Sequence, residues 1–397
     1  MNEDAYTRKA FDCIAETYSR FPVVITKGEG VFLWDDSGKK YIDFTSGIAV
    51  TSLGHCNPRV VQAVTKQVQE LFHISNLYWT KPQAQLAQLL CEHSFAEKVF
   101  FCNSGAESVE AAIKLARKYG HDTRGPDCYQ IVCLEGSFHG RTLAAITATG
   151  QPVYQRGFEP LPDGFTHVPP NNVHALKLAA DKRTAAILME PILGEGGVHV
   201  LDNDFLKAAR DIANDIGALL IFDEIQVGMG RTGKMFAYQH TDVEPDVMCL
   251  AKALANGLPI GAMLAKEDVM KHLGPGTHAS TFGGNPVSCS AAIEVINQLT
   301  EPGALEGIVE LGDYLMAQLR GLAKRHKVIK DVRGRGLIQA VEFERELPGL
   351  ANHLLDQGFL VIVAHNRLLR LLPPFVMERK HIDLLIEKLD SYLAENT

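Results

Sequence analysis

Short apolar runs recur through the middle of the chain, near 98–102, 129–134, 184–190, 218–222, 247–251 and 261–265. They are short and largely uninterrupted by polar residues, the pattern of strands buried on both faces. Helical spacing marks 58–72, 81–93 and about 105–119, and the remaining connections read as helix or loop. Apolar runs alternating with such segments predict an α/β protein with a mostly parallel central sheet.

The two ends of the chain read differently. Residues 3–18 suit an amphipathic helix. Residues 31–34 and 41–44 flank a polar turn and predict a hairpin. After about residue 300 come a long helical stretch (303–326) and strand-like segments at 328–329 and 337–343. A helix at 347–358, strands near 360–363 and 368–372, and a final helix at 380–394 follow. This predicts a smaller α+β unit. With the N-terminal hairpin joining it, the large domain spans 50–290 and a discontinuous small domain takes 1–49 and 291–397. No repeat or low-complexity tract interrupts this plan.

Composition removes several classes of function. Hydrophobic residues make up 46% and charged residues 22%, the balance of a soluble globular protein. The net charge is −8 and no basic block stands out, so neither nucleic acid nor an anionic membrane surface is an expected partner. No apolar stretch is long enough to span a bilayer. The eight cysteines form no C-x-x-C pair and read as small buried hydrophobes in a reducing compartment. The fifteen histidines show no ligand spacing, so no metal is expected. The acidic, polar start is unlike a signal or transit peptide, and a cytoplasmic location is the expectation.

Two charges stand out against this background. Asp223 ends the run Ala218-Leu219-Leu220-Ile221-Phe222, and Lys252 ends Val247-Met248-Cys249-Leu250-Ala251. Placing a carboxylate and an ammonium at the ends of buried strands is costly unless chemistry requires them. Pyridoxal phosphate requires both, a lysine amine for its aldehyde and an anion for its ring nitrogen.

Other strand ends carry compatible groups. Asn103-Ser104-Gly105-Ala106-Glu107 leads from a strand into a helix, which suits either a phosphate on free N–H groups or a capping box between Ser104 and Glu107. Phe138, in Gly136-Ser137-Phe138-His139-Gly140-Arg141-Thr142, offers a ring for stacking, and Arg141 a fork for a carboxylate. Glu190 and Glu195 lie in a loop after 186–189, where either acid could pair with an arginine. Ile225 could pack on a ring face, and Gln226 could donate to a phenolic oxygen. Ser280 or Thr281, before a helix at 287–295, could donate to a phosphate. The string Gly228-Met229-Gly230-Arg231-Thr232-Gly233 matches G-x-G-x-x-G but begins five residues beyond Asp223 and opens no helix. We read it as a flexible or dimer-facing loop rather than a nucleotide site.

Together the strings NSGAE, FHGRT, EPILGEGG, DEIQVGMGRTG, AKAL and STFGGNP resemble the class III pyridoxal-phosphate aminotransferases, in that family's order, across about residues 18–376. The resemblance implies the aspartate-aminotransferase-like PLP-transferase fold and a homodimer with shared active sites. It implies Lys252 as the Schiff-base lysine and Asp223 as the ring-nitrogen partner. Ser104, Gly105 and Ala106 would hold the phosphate, and Phe138, Glu224, Ile225 and Gln226 would surround the ring. Thr281 would reach in from the neighbouring subunit. For substrate it implies Arg141, Ser280 and Tyr18. It also implies Arg370, before Leu371-Leu372-Pro373-Pro374, as the arginine for 2-oxoglutarate, masked by Glu195 while the donor is bound.

Plain ornithine aminotransferases carry a tyrosine where this chain has Ile48, which cannot hydrogen-bond a free α-amine. That departure favours an acylated donor. The expectation is transfer of the δ-amino group of N-acetylornithine to 2-oxoglutarate, as in arginine biosynthesis. Succinylornithine, ornithine or 4-aminobutyrate are alternative donors.

Overall fold

The computed structural model of the protein describes residues 11–396. Of the helix expected over 3–18, residues 3–10 lie outside the described residues, and 12–18 are turn and irregular chain rather than helix. Phe11 and Ile14 there are exposed, so this segment has no apolar surface within the chain against which to form an amphipathic helix.

The strands in chain order are β1 (Ile25–Glu29), β2 (Phe32–Asp35), β3 (Lys40–Asp43), β4 (Lys98–Cys102), β5 (Gln130–Leu134), β6 (Phe165–Val168), β7 (Thr184–Met189), β8 (Ile192–Leu193), β9 (His199–Val200), β10 (Leu219–Asp223), β11 (Val247–Leu250), β12 (Gly261–Ala265), β13 (Ile329–Arg335), β14 (Ile338–Phe343), β15 (Phe359–Leu360), β16 (Ile362–Ala364) and β17 (Leu368–Leu371). Seven of them form one sheet in the order β4-β12-β11-β10-β7-β5-β6. Only β12 runs antiparallel to its neighbours. Six of the seven are the apolar runs of the sequence. The seventh, β6, is half-exposed at the sheet edge, and its Thr166 and His167 break any apolar run.

Both faces of the sheet are covered. Leu219 and Ile221 of β10 pack with Val109, Ala112 and Ala116 of the helix Gly105–Arg124. Leu220 and Phe222 face the other way, toward Phe205, Leu206 and Ala209 of the helix Asn203–Ile216. This two-sided burial explains why the strands carry no polar alternation.

Because β12 opposes both β4 and β11, β4 points the same way as the remaining strands. The carboxyl ends of β4, β5, β7, β10 and β11 therefore open on one edge, together with the start of β12. Ligands of open α/β sheets bind at such an edge.

A second sheet, β13-β14-β17-β16, is antiparallel throughout. Its β13 and β14 pack on the helix Ala304–Arg325, which in turn packs on the helix Arg379–Asn396. β1, β2 and β3 form the N-terminal hairpin and its extension, and β3 pairs in parallel with β15, Ile42 opposite Phe359.

The segment 228–233 departs from expectation. It is neither a surface loop nor flexible in appearance, because every residue from 227 to 233 is buried. Its glycines serve close packing: a Cβ on Gly230 would lie 2.9 Å from Leu299, and one on Gly233 2.4 Å from Val309. Among the described residues no helix is long and apolar enough to cross a membrane.

Candidate active site

Lys252 follows β11 after one residue, Ala251, and opens a single 3-10 turn, Lys252–Ala255. Its φ of 43° lies in the left-handed region that side chains disfavour. That conformation turns the chain at once from the strand end into a cavity. Burial lowers the pKa of the amine, Arg370 adds to the effect, and the acids Glu195, Asp223 and Glu190 oppose it. The residue as a whole is only half-buried because the cavity admits solvent, but the amine itself is enclosed by protein, so burial dominates.

Asp223 is the last residue of β10 and is 3% exposed. Both carboxylate oxygens are occupied on one side. Oδ1 accepts from the Ile225 N–H at 3.0 Å, and Oδ2 faces His139 Nδ1 at 2.8 Å. His139 is buried in its turn, and its Nε2 has no partner. Glu190, following β7, accepts from the N–H groups of Phe138 (2.9 Å) and Gly194 (3.0 Å), and so ties the loop after β5 to the loop carrying Glu195. Burial pushes its carboxyl well above the usual range, against the pull of His139.

Ser104, Gly105, Ala106, Phe138, Arg141, Glu195, Asp223, Ile225, Gln226 and Lys252 line one cavity of about 420 Å³. Ser104 does cap the helix Gly105–Arg124, its Oγ accepting from the Glu107 N–H at 3.2 Å, while Glu107 accepts from the Asn103 N–H. This bonding leaves the first two N–H groups of the helix, Gly105 and Ala106, facing the cavity. Capping and anion binding are therefore compatible here. Gly105 cannot be larger, since a Cβ would lie 2.9 Å from Ile225. A Cβ on Gly194 would displace the end of the Gln226 side chain.

At the far side of the cavity Glu195 Oε1 accepts from Arg370 Nη1 at 2.8 Å and from Gln226 Nε2 at 3.1 Å. Burial raises the pKa of Glu195, but Arg370, Lys252 and Gln226 outweigh it and the net shift is downward. Arg370 is 4% exposed, and Nη1 also donates to Gly194 O at 3.0 Å. Arg141 stacks its guanidinium 4.0 Å from the Tyr154 ring centre and 5.5 Å from that of Phe138.

Some expected residues lie elsewhere. Glu224 turns away from the cavity and accepts from the N–H groups of Ala237 and Tyr238. Glu224 lies just past the end of β10, and its carboxylate is taken up by the segment at 237–238 rather than by the cavity. Tyr18 is 74% exposed and does not line the cavity; Arg20 lies over its ring. Ile48 also lies outside it, exposed, within a run of four left-handed residues at 46–49. Ser280 and Thr281 line a separate surface groove with Leu77, Tyr78 and Trp79. Reading the sequence alone missed His139, Val50 and the segment 257–260, all of which line the cavity. His139 had a signal: a strand-end aspartate needs a buried donor, and His139 lies beside Phe138 in a motif already singled out.

The residues present fit pyridoxal phosphate. An amine and a carboxylate share the cavity with free helix N–H groups and the apolar surfaces of Phe138 and Ile225. Gln226 Oε1 and His139 Nε2 are buried without partners, which leaves polar atoms beside the space a polar ring would fill.

Comparison with known proteins agrees. The class III aminotransferase family model matches residues 13–393. A protein of Methanocaldococcus jannaschii named acetylornithine aminotransferase is 48% identical over 96% of this chain and 96% of its own length. One of the same name from Caldanaerobacter subterraneus is 48% identical over 96% and 97%. Among solved structures, the ornithine aminotransferase of Toxoplasma gondii superposes with a TM-score of 0.94 at 32% identity, over 100% of this chain and 96% of its own. The acetylornithine aminotransferase of Elizabethkingia anophelis gives 0.87 at 32% identity, over 100% of both. The Toxoplasma protein crystallized with oxidized glutathione holds PLP at partial occupancy in its active site.

Proposed function

The chain belongs to the class III aminotransferases, and from that premise we propose how its residues move the δ-amino group of N-acetylornithine to 2-oxoglutarate, giving N-acetylglutamate 5-semialdehyde and glutamate. One observation carries the two-substrate reading: a single cavity is lined by a reactive amine and by a carboxylate, Glu195, that covers the buried arginine behind it. Pyridoxal phosphate, the cofactor of this class, supplies when bound an aldehyde for the substrate amine and an electron-poor ring that takes up the charge of the deprotonated carbon.

Lys252 would anchor the cofactor through its amine and, when free, would carry the proton between substrate and cofactor. Its lowered pKa suits that work, since a base acts best when its pKa lies near the working pH. Asp223 holds a proton at the ring nitrogen, and His139 and the Ile225 N–H fix the carboxylate for that task. The start of the helix Gly105–Arg124 receives the phosphate, and Arg141 receives the α-carboxylate of the acylated donor. Glu195 neutralises Arg370 while that donor is bound and yields it to 2-oxoglutarate afterwards.

We assign the groove beside Leu77, Tyr78 and Trp79 to a second copy of this chain, bringing Ser280 and Thr281 to its site. Trp79 is 94% exposed and Leu77 85%, an apolar surface too large to leave in water. A monomer in sedimentation equilibrium would refute this. A cytoplasmic location fits the scattered cysteines, none of them in a C-x-x-C pair.

Steady-state transamination of N-acetylornithine, succinylornithine, ornithine and 4-aminobutyrate against 2-oxoglutarate tests the substrate. N-acetylornithine should show the highest kcat/KM. The succinyl compound should trail by no more than about 10–200-fold, because acyl length discriminates weakly. Ornithine as the best donor would overturn the reading.

Glu195→Gln tests the masking. It leaves Arg370 charged without its carboxylate partner, so an α-amino acid, whose reacting amine sits beside its carboxylate, gains a binding site. The ratio of kcat/KM for glutamate over N-acetylornithine, read in single half-reactions, should rise at least about tenfold, equivalent to about 1.4 kcal/mol. An unchanged ratio would remove Glu195 from the switch.

A further inference from the structure

Arg231 is fully buried and among the largest buried side chains; the buried acid Asp43 acts on it only at longer range, and its direct partners are uncharged. Its guanidinium donates to three neutral oxygens. Nη1 reaches Leu337 O at 3.0 Å and Pro373 O at 2.6 Å, and Nη2 reaches Ser52 Oγ at 2.6 Å. The guanidinium also lies 4.7 Å from the centre of the Phe375 ring. A buried cation with no carboxylate in direct contact is costly, so local stability alone is a poor reason for its presence.

The bonds have a common geometry. β14 and β17 pair Gln339 with Leu371 and Ala340 with Arg370. Continued by two residues, that register sets Leu337 opposite Pro373, just past the end of the ladder. Arg231 Nη1 bridges these two carbonyls and closes the ladder where its own hydrogen bonds stop. Arg370 lies three residues inward, roughly 10 Å along the strand. The Arg231 carbonyl accepts from the Leu337 N–H at 3.0 Å, and Ser52 O accepts from the Phe375 N–H at 2.7 Å. On its other side, Arg231 belongs to the buried turn that leaves β10 beyond Asp223 and Gln226. One side chain therefore joins the strand pair bearing Arg370 to the segment bearing the acid and amide of the cavity.

We propose that Arg231 is a positioning residue for the keto-acid half of the reaction. It sets the height of Arg370 over the end of β10, and with it the length of diacid that fits between Arg370, at the α-carboxylate, and Arg141, at the distal one. This rests on the assignment of Arg370 as the 2-oxoglutarate arginine.

Three variants test it. Arg231→Lys keeps the charge but loses the fork, Arg231→Met loses both, and Ser52→Ala removes one anchor while sparing the arginine. The KM for 2-oxoglutarate should rise about tenfold or more in the Arg231 variants, and the Kd for glutarate measured by calorimetry should follow. Preference for 2-oxoglutarate over oxaloacetate, one methylene shorter, should fall at least about fivefold, a large part of what one methylene can discriminate. The N-acetylornithine half-reaction should stay within about twofold, since Arg370 is not its ligand. Ser52→Ala should move the same ratios in the same direction and decides the matter if the Arg231 variants do not fold.

Donor and acceptor constants that decline together, with diacid preference unchanged, would show a merely structural residue and overturn the proposal. An Arg370→Lys variant that keeps its KM for 2-oxoglutarate would instead overturn the reading of Arg370 on which it stands. A wild-type protein with Arg370-dependent use of 2-oxoglutarate, and Arg231 variants that leave its constants unmoved, would overturn the present inference alone.

Discussion

Lys252→Ala is expected to lose essentially all transamination, by more than the roughly 10²–10⁴-fold that a positioned acid–base group supplies, because the same residue also anchors the cofactor. The amine has no substitute. The other basic groups lining the cavity are Arg141, a guanidinium, and His139, whose Nδ1 is engaged by Asp223. Two readouts separate anchoring from proton transfer. The visible absorbance of the lysine-linked cofactor should vanish, and borohydride should no longer fix the cofactor to the chain. A further check uses the wild-type apoprotein. Only the neutral amine attacks an aldehyde, and burial has moved Lys252 below its ordinary pKa. Cofactor reloading should therefore reach its full rate at a lower pH than a free lysine, with its pKa of about 10.4, would allow. A Lys252→Ala protein that remains yellow and active would end the assignment.

The central sheet was legible because its strands are buried on both faces, and an unbroken apolar run admits few other readings. Lys252 and Asp223 were legible for the complementary reason: they are charges placed where such runs stop. What escaped notice was set by partners distant in sequence. Arg231 binds carbonyls more than a hundred residues away, and nothing in Gly228–Gly233 itself reveals that these glycines are spaced for packing against Leu299 and Val309. Local composition spoke for a loose loop, and tertiary packing made it a buried joint. The pairing of Glu195 with Arg370 was reached through family resemblance, since 175 positions separate the two and no local pattern links them. Glu224 was a miss of the same kind: it lies just past the end of β10, and the N–H groups that hold it, those of Ala237 and Tyr238, are brought to it by tertiary structure.

Asp223→Asn is expected to slow turnover by about 10²–10³-fold while the cofactor remains attached to Lys252, because removing one partner of a buried charge pair costs about 3–5 kcal/mol. The substitution keeps the shape but not the charge or the acceptor count. Asp223 now accepts from the Ile225 N–H and from His139 Nδ1 with its two oxygens. An asparagine has one oxygen and one NH₂, so one of those donors must face another donor in a site that is 3% exposed. The imidazole can relieve the clash by moving its proton to Nε2, which has no partner at present, so the fold should survive the change. The ring nitrogen cannot be relieved in this way. Without a nearby anion its proton is held less tightly, and the carbon that loses a proton to Lys252 has a weaker sink for its charge. The loss should therefore appear in the single-turnover rate of proton removal, and as a substrate isotope effect that grows on substitution, rather than in donor binding. If that rate is unchanged in a cofactor-loaded Asp223→Asn protein, the carboxylate at the end of β10 is an element of packing and the chemistry must draw its electron sink from elsewhere.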